Sequence, residues 1–237
     1  MRPLALVLLL ALPAGAADTI LVVGDSHTAG NFGQKLDDDL RAAAGNRVAT
    51  YGVCSARPAS YFADTPHSCG HLFRGFDKKA PAKWLGGRVY KEKLPGGEVE
   101  WVKTPELAQL LSDHSPTVTV VALGANLPIS LDSVGKTLDA IHAAGSACVW
   151  IGPPYIRKTS DAQIDSVYAT LRKAGVTKSA SFEGSRHSSC RLVDSRAFSY
   201  LRYPATGGDG MHYGGALSAL GTRWGADAAA AVAAFQP

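Results

Sequence analysis

The sequence predicts an α/β chain folded as a three-layer α/β/α sandwich on a five-stranded parallel sheet. Three observations carry that expectation. Five short segments are rich in β-branched residues and mostly apolar on both faces, as strands buried in a parallel sheet are. Between them, apolar residues recur at three- and four-residue steps that stop at glycines. Strands alternating with helices through right-handed crossovers place helices on both faces of the sheet.

The strands are read at 19–24 (TILVVG), 47–53 (RVATYGV), 117–123 (TVTVVAL), 147–151 (ACVWI) and 191–197 (RLVDSRA). Helical spacing joins Phe32, Leu36 and Leu40 ahead of Gly45, then Val134, Leu138 and Ile141 ahead of Gly145, then Ile164, Val167 and Leu171 ahead of Gly175. Tyr213, Leu217, Leu220 and Trp224 give the last helix one apolar face. The stretch 56–103 breaks the rhythm and carries Tyr61, Phe62, Phe73, Phe76, Trp84, Tyr90 and Trp101. So many aromatics predict an ordered excursion rather than a disordered linker. Its aromatics form a small cluster of its own, or a wall that shapes a binding site.

Composition bounds the rest. A chain of 237 residues, 46% hydrophobic and 19% charged, can bury one sizeable core and is not biased toward disorder. Its 25 glycines and 13 prolines follow no three-residue period, which excludes a collagen-like chain. The net charge of +4 comes from 24 basic and 20 acidic side chains. The densest basic stretch, Lys78, Lys79 and Lys83 with Lys91 and Lys93, is too thin for a nucleic-acid footprint.

Arg2, an unbroken apolar run at 4–12, Pro13 and Ala14-Gly15-Ala16 match the three regions of a secretory signal, with cleavage after Ala16. The run is too short to span a bilayer, so no stable membrane insertion is expected. The reading is a signal at 1–16, a single domain at 17–237, and a secreted or periplasmic location. An oxidising compartment makes Cys54, Cys69, Cys148 and Cys190 candidates for two disulfides. Cys148 opens one strand and Cys190 immediately precedes the next. If those strands are neighbours, the pairing is Cys148 with Cys190 and Cys54 with Cys69. His67, Cys69 and His71 have a metal-like spacing, but the cysteine has a disulfide partner to hand, so they read as a structural turn and no metal is expected.

The chemistry lies at the two ends of the chain. Gly24-Asp25-Ser26-His27-Thr28 follows the first strand and presents a hydroxyl at the carboxyl edge of the sheet, where open α/β folds place their sites. Gly208-Asp209-Gly210-Met211-His212-Tyr213 stands before the last helix. A serine hydroxyl is a poor nucleophile until a neutral imidazole takes its proton, and that imidazole needs a carboxylate to hold its tautomer. Ser26, His212 and Asp209 supply these roles. The ends of the second and third strands carry Thr50-Tyr51-Gly52-Val53-Cys54-Ser55 and Gly124-Ala125-Asn126, which offer donors for an oxyanion.

In this order of blocks the mature chain resembles the SGNH hydrolase superfamily, the GDSL-type esterases. The resemblance implies a flavodoxin-like sheet, Ser26 as nucleophile, His212 as base and then acid, and Asp209 as its orienter. It also implies an oxyanion hole of the Ser26 amide, the second-block amide at Ser55 and the Asn126 side chain. The chain departs from the family at three places. Ser55 replaces the last glycine of N-x-G-x-x-G, and its N–H survives that change unless the glycine needs a positive φ. His27 replaces a common leucine, and Leu127 follows Asn126 where many members have aspartate.

His27, Gly52 and Tyr155 are candidate substrate contacts; Tyr155 lies in the rim segment Gly152-Pro153-Pro154-Tyr155. His114, His142 and His187 sit at helix ends or in loops and read as surface residues. Asp25 reads as holding the turn by accepting hydrogen bonds from nearby amides.

The expected activity is that of an exported serine esterase with no cofactor, acting on short acyl esters, acetyl foremost. Its expected partner is an acylated small molecule or an envelope or extracellular polysaccharide. An O-acyltransferase on glycans, a lipid esterase or thioesterase, and a non-catalytic glycan-binding module are the alternatives.

Overall fold

The computed structural model describes residues 17–43, 45–63, 65, 71–76, 83–84, 91–93, 99–101, 103–178, 189–201 and 210–235. For 83–84, 91–93 and 99–101 only the backbone is described. The segment read as a signal, and also Cys69, His187 and Asp209, lie outside these residues.

The strands are β1 (Thr19–Gly24), β2 (Arg47–Val53), β3 (His71–Arg74), β4 (Lys83–Trp84), β5 (Lys91–Lys93), β6 (Val99–Trp101), β7 (Val118–Ala122), β8 (Ala147–Gly152), β9 (Val176–Thr177) and β10 (Cys190–Asp194). The helices are α1 (Ser26–Ala29), α2 (Asn31–Ala42), α3 (Leu107–His114), α4 (Leu131–Ala143), α5 (Asp161–Lys173) and α6 (Ser218–Ala233). The main sheet has eight strands in the order β4-β3-β2-β1-β7-β8-β10-β9. Its central five, β2-β1-β7-β8-β10, are the five expected strands, all parallel. Their order is that of a flavodoxin-like sheet.

The sheet is therefore larger and more mixed than the five-stranded parallel sheet expected. The excursion adds β3 antiparallel to β2 and β4 antiparallel to β3, while β9 pairs in parallel with β10 at the opposite edge. Strands of two to four residues at a sheet margin bury too little to leave an apolar signature in sequence. The last core strand also ends early. The carboxylate of Asp194 accepts from the Arg196 N–H at 3.2 Å and starts a 3-10 turn over Ser195–Ala197.

Alternation along β1 shows why the chain closes as three layers. Ile20 and Val22 face Phe32 and Leu36 of α2 and Trp224 and Ala228 of α6, while Leu21 and Val23 face the side covered by α3, α4 and α5. The buried stripe of α6 is Gly221, Trp224, Gly225, Ala228, Ala229 and Val232. Of the four residues expected on that face, Trp224 holds, but Tyr213 and Leu217 precede the helix and Leu220 is only half-buried. Small residues take over because α2 and α6 approach closely: a Cβ on Gly225 would stand 2.4 Å from the Phe32 carbonyl oxygen.

The disulfide Cys148–Cys190 joins neighbouring β8 and β10, with Cα atoms 4.6 Å apart. Cys54 is also disulfide-bonded. A buried ionic cluster ties the second layer to the excursion: Asp37, fully buried on α2, receives Arg41 at 2.7 Å, Arg74 of β3 and the Thr50 hydroxyl of β2 at 2.6 Å. Two histidines read as surface residues are half-buried. One of them, His114 at the end of α3, has Nε2 2.7 Å from the Tyr51 hydroxyl.

Candidate active site

The sheet order reverses between β1 and β7, which opens a crevice at their carboxyl ends. The loops after β1, β2, β7 and β8 all meet there. Ser26 enters it as the first residue of α1. Two glycines make the sharp turn possible. Gly24 and Gly52 are register partners on β1 and β2. A Cβ on Gly24 would lie 1.9 Å from Thr28 Oγ1, and one on Gly52 would lie 2.4 Å from the Ala29 nitrogen. Gly52, expected as a substrate contact, is buried beneath α1, and its lack of a side chain lets that short helix sit down on the strands.

Across the crevice, His212 Nε2 is 2.7 Å from Ser26 Oγ, a hydrogen bond between residues 186 apart in the chain. The loop that presents His212 turns at Gly210, with φ +72°, and is held by the Lys158 N–H donating to the Gly210 carbonyl at 2.9 Å. The His27 ring packs 5.2 Å from His212 and 5.3 Å from Trp224, and is 5% exposed. His27 thus forms part of the floor under the pair.

Asp25 caps the turn, accepting the His27 N–H at 2.9 Å. It is 2% exposed, and burial raises its carboxyl from the usual 3.8 to about 7, against the opposing pull of the His27 N–H, of His212 and of the Ala125 N–H.

Ser55 follows β2 with φ +64°, so this position does need the left-handed conformation that glycine adopts without strain. Asn126 follows β7, and its Nδ2 donates to the Ala56 carbonyl at 3.1 Å. The nitrogen carries two hydrogens, so this bond fixes the amide and leaves the second for a ligand. Ser55, Asn126 and Met211 line one open groove of about 320 Å³, together with Arg57 and Lys158. A second depression of about 360 Å³, lined by Pro128, Ile129 and Val167, shares Leu127 and Gln163 with the first. Tyr155 is half-buried, and its hydroxyl donates to Asp165 of α5 at 2.9 Å.

One residue of the site is invisible to motif reading. Tyr61, in a 3-10 turn after β2, is 2% exposed and stands under Gly24. Its hydroxyl oxygen accepts the Gly24 N–H at 3.1 Å, and its own proton points at the carbonyls of Gly24 and Tyr51, 2.8 and 2.9 Å away. In the sequence it is one aromatic among seven in the excursion, and nothing in its neighbours distinguishes it.

The architecture, a parallel-dominated sheet flanked by helices on both faces, matches the fold of a solved alpha/beta hydrolase enzyme. No family model matches the chain. Among known proteins, Protein BcsX of Komagataeibacter xylinus is 29% identical over 190 residues, covering 76% of this chain; the chain spans 64% of that relative's length. Among solved structures, LAE5, an alpha/beta hydrolase enzyme from the metagenome of Lake Arreo, Spain, superposes with a TM-score of 0.51 at 16% identity, covering 94% of this chain and 98% of LAE5. TesA superposes with a TM-score of 0.48 at 16% identity, covering 86% of this chain and 94% of TesA.

Proposed function

We propose that the chain is an exported serine esterase that removes short acyl groups, acetyl foremost, from an envelope or extracellular polysaccharide. The observation that carries this reading is the 2.7 Å contact of His212 Nε2 with Ser26 Oγ beside Ser55 and Asn126. In this reading His212 accepts the Ser26 proton as Oγ bonds to the ester carbonyl carbon. The Ser26 and Ser55 amides and the Asn126 side chain receive the oxyanion. Collapse breaks the bond to the alcohol oxygen, and His212 returns the proton to the departing alcohol. Water then attacks the acyl-serine, gives its proton to His212, and the acid leaves as Ser26 is reprotonated. Asp209, in this scheme, holds the imidazole tautomer.

Export is supported by the Cys148–Cys190 disulfide, which suits an oxidising compartment, and the second bridge is proposed as Cys54–Cys69. Among the described residues no helix is long and apolar enough to cross a membrane.

The test pairs labelling with turnover. A phosphonate probe should add to Ser26, and acetate should be released from acetylated glycans faster than octanoate from octanoyl esters. Ser26→Ala should lower kcat by roughly 10⁴ or more, and Asn126→Ala by roughly 10² to 10³. Turnover by Ser26→Ala near that of the wild type refutes the mechanism. An octanoyl preference without glycan deacetylation moves the chain to the lipid esterases.

A further inference from the structure

The groove beside the proposed oxyanion hole is built by two loops on opposite sides of the nucleophile. Arg57 stands one residue beyond Ala56, whose carbonyl holds the Asn126 amide. Its backbone is fixed by hydrogen bonds in both directions with Ser60. Lys158 stands on the loop after β8, and its own N–H is tied to Gly210, two residues before His212. Both side chains line the groove and both are exposed. Neither Arg57 nor Lys158 is in an ion pair among the described residues, whereas Lys136, for one, is paired with Asp132. Among the described residues no Asp or Glu lines the groove, and Thr159, Gln163 and the Ser55 hydroxyl add uncharged hydrogen-bonding groups. Two cations with fixed backbones and no ion pair among the described residues, sharing one groove with Ser55 and Asn126, make a field that favours an anion.

We infer that this groove binds a fixed negative charge of the substrate, so that the preferred ester is carried by an anionic glycan, with a carboxylate or phosphate a short distance from the acylated hydroxyl. The inference rests on the esterase reading and narrows its substrate. Arg57 suits a planar carboxylate by two parallel hydrogen bonds, and Lys158 supplies a point charge from the other wall.

The experiment compares kcat/KM for three acetyl esters: an acetylated neutral xylo-oligosaccharide, an acetylated oligogalacturonide and an acetylated sugar phosphate. The wild type should favour the charged esters over the neutral one by roughly tenfold or more, through KM, and the ratio should shrink as salt is added. The arm with the larger ratio identifies the anion as carboxylate or phosphate. Within the variant R57Q/K158Q the charged-to-neutral ratio should fall to about one, and in R57E/K158E it should invert; each ratio is taken within one protein, so partial misfolding cancels. Equal kcat/KM on all three esters overturns the inference and leaves the esterase reading standing, as does a charge preference that survives in R57E/K158E. No hydrolysis of any ester, with no phosphonate adduct on Ser26, overturns both.

Discussion

Tyr61 shows how much one buried hydroxyl can be asked to do. It is the acceptor for the Gly24 N–H and has a carbonyl on either side for its own proton, so it pins the turn that carries Ser26 at the end of β1 to the end of β2. Burial also pushes its phenol well above the ordinary tyrosine range, which keeps it a neutral donor at all physiological pH. Tyr61→Phe keeps the ring in the core but strands the Gly24 N–H in a dry site, and should cost about 1–3 kcal/mol in a denaturant titration together with a fall in kcat. Equal stability of the two proteins would show that the turn is held without it.

Ser55 makes the opposite case, a residue in the wrong conformation for its side chain. At φ +64° a Cβ is strained, so Ser55→Gly should raise the unfolding free energy by about 0.5–1 kcal/mol while keeping the backbone N–H proposed as an oxyanion donor. Ser55→Ala, which retains the Cβ, should show no such gain; identical midpoints for the Gly and Ala variants would refute the strain argument.

At the scale of elements, the chain is stapled where its connections are long. The bridge between β8 and β10 closes 42 residues of sequence, which in the chain-entropy account is worth about 4 kcal/mol. Cys148→Ser with Cys190→Ser should therefore lower the denaturation midpoint strongly while leaving KM close to that of the wild type, because the bridge lies in the core away from Ser26. A large change in KM with little change in midpoint would place the bridge's importance in the site instead.

The same elements show what the sequence could and could not tell. β1, β7 and β8 were legible because a parallel strand buried on both faces is apolar almost throughout, and β10 was found but begun one residue late and overrun to Ala197 because Val193 is followed by a polar cap rather than a glycine. β3 was missed because only Leu72 and His71 are buried in it, and a pair of buried residues has no period. Asp37, Asp38 and Asp39 look alike in a row, yet Asp37 is fully buried among two arginines and a threonine while Asp38 is exposed; only the packing of β3 over α2 separates them. The serine and histidine of the site were legible from their motif context, since the carboxyl end of a first strand and the entry to a last helix meet in this topology. Tyr61 was not, because its value lies in the backbone it touches.

For the whole molecule, burial of Asp25 couples the site to global stability. In the folded chain its carboxyl titrates at about 7, whereas unfolding returns it to the ordinary 3.8. Near pH 4 and below, both states hold the proton and the group is neutral toward folding. As pH rises from about 4 to about 7 the unfolded chain gives up its proton while the folded chain still keeps it, so stability falls across that window and levels off above it. A shift of this size corresponds to about 4 kcal/mol at most, a large part of a domain's net stability.

His212 faces the same carboxylate and pulls its titration down against the effect of burial. Asp25→Asn keeps an oxygen to accept the His27 N–H and removes the titration. The stability of wild type minus that of Asp25→Asn, measured by urea unfolding at half-unit steps from pH 4 to pH 8.5, should decline through the window and be flat above about 7. Two parallel curves would mean that the carboxylate is held ionised by its backbone donors throughout, and that it does not tax the fold.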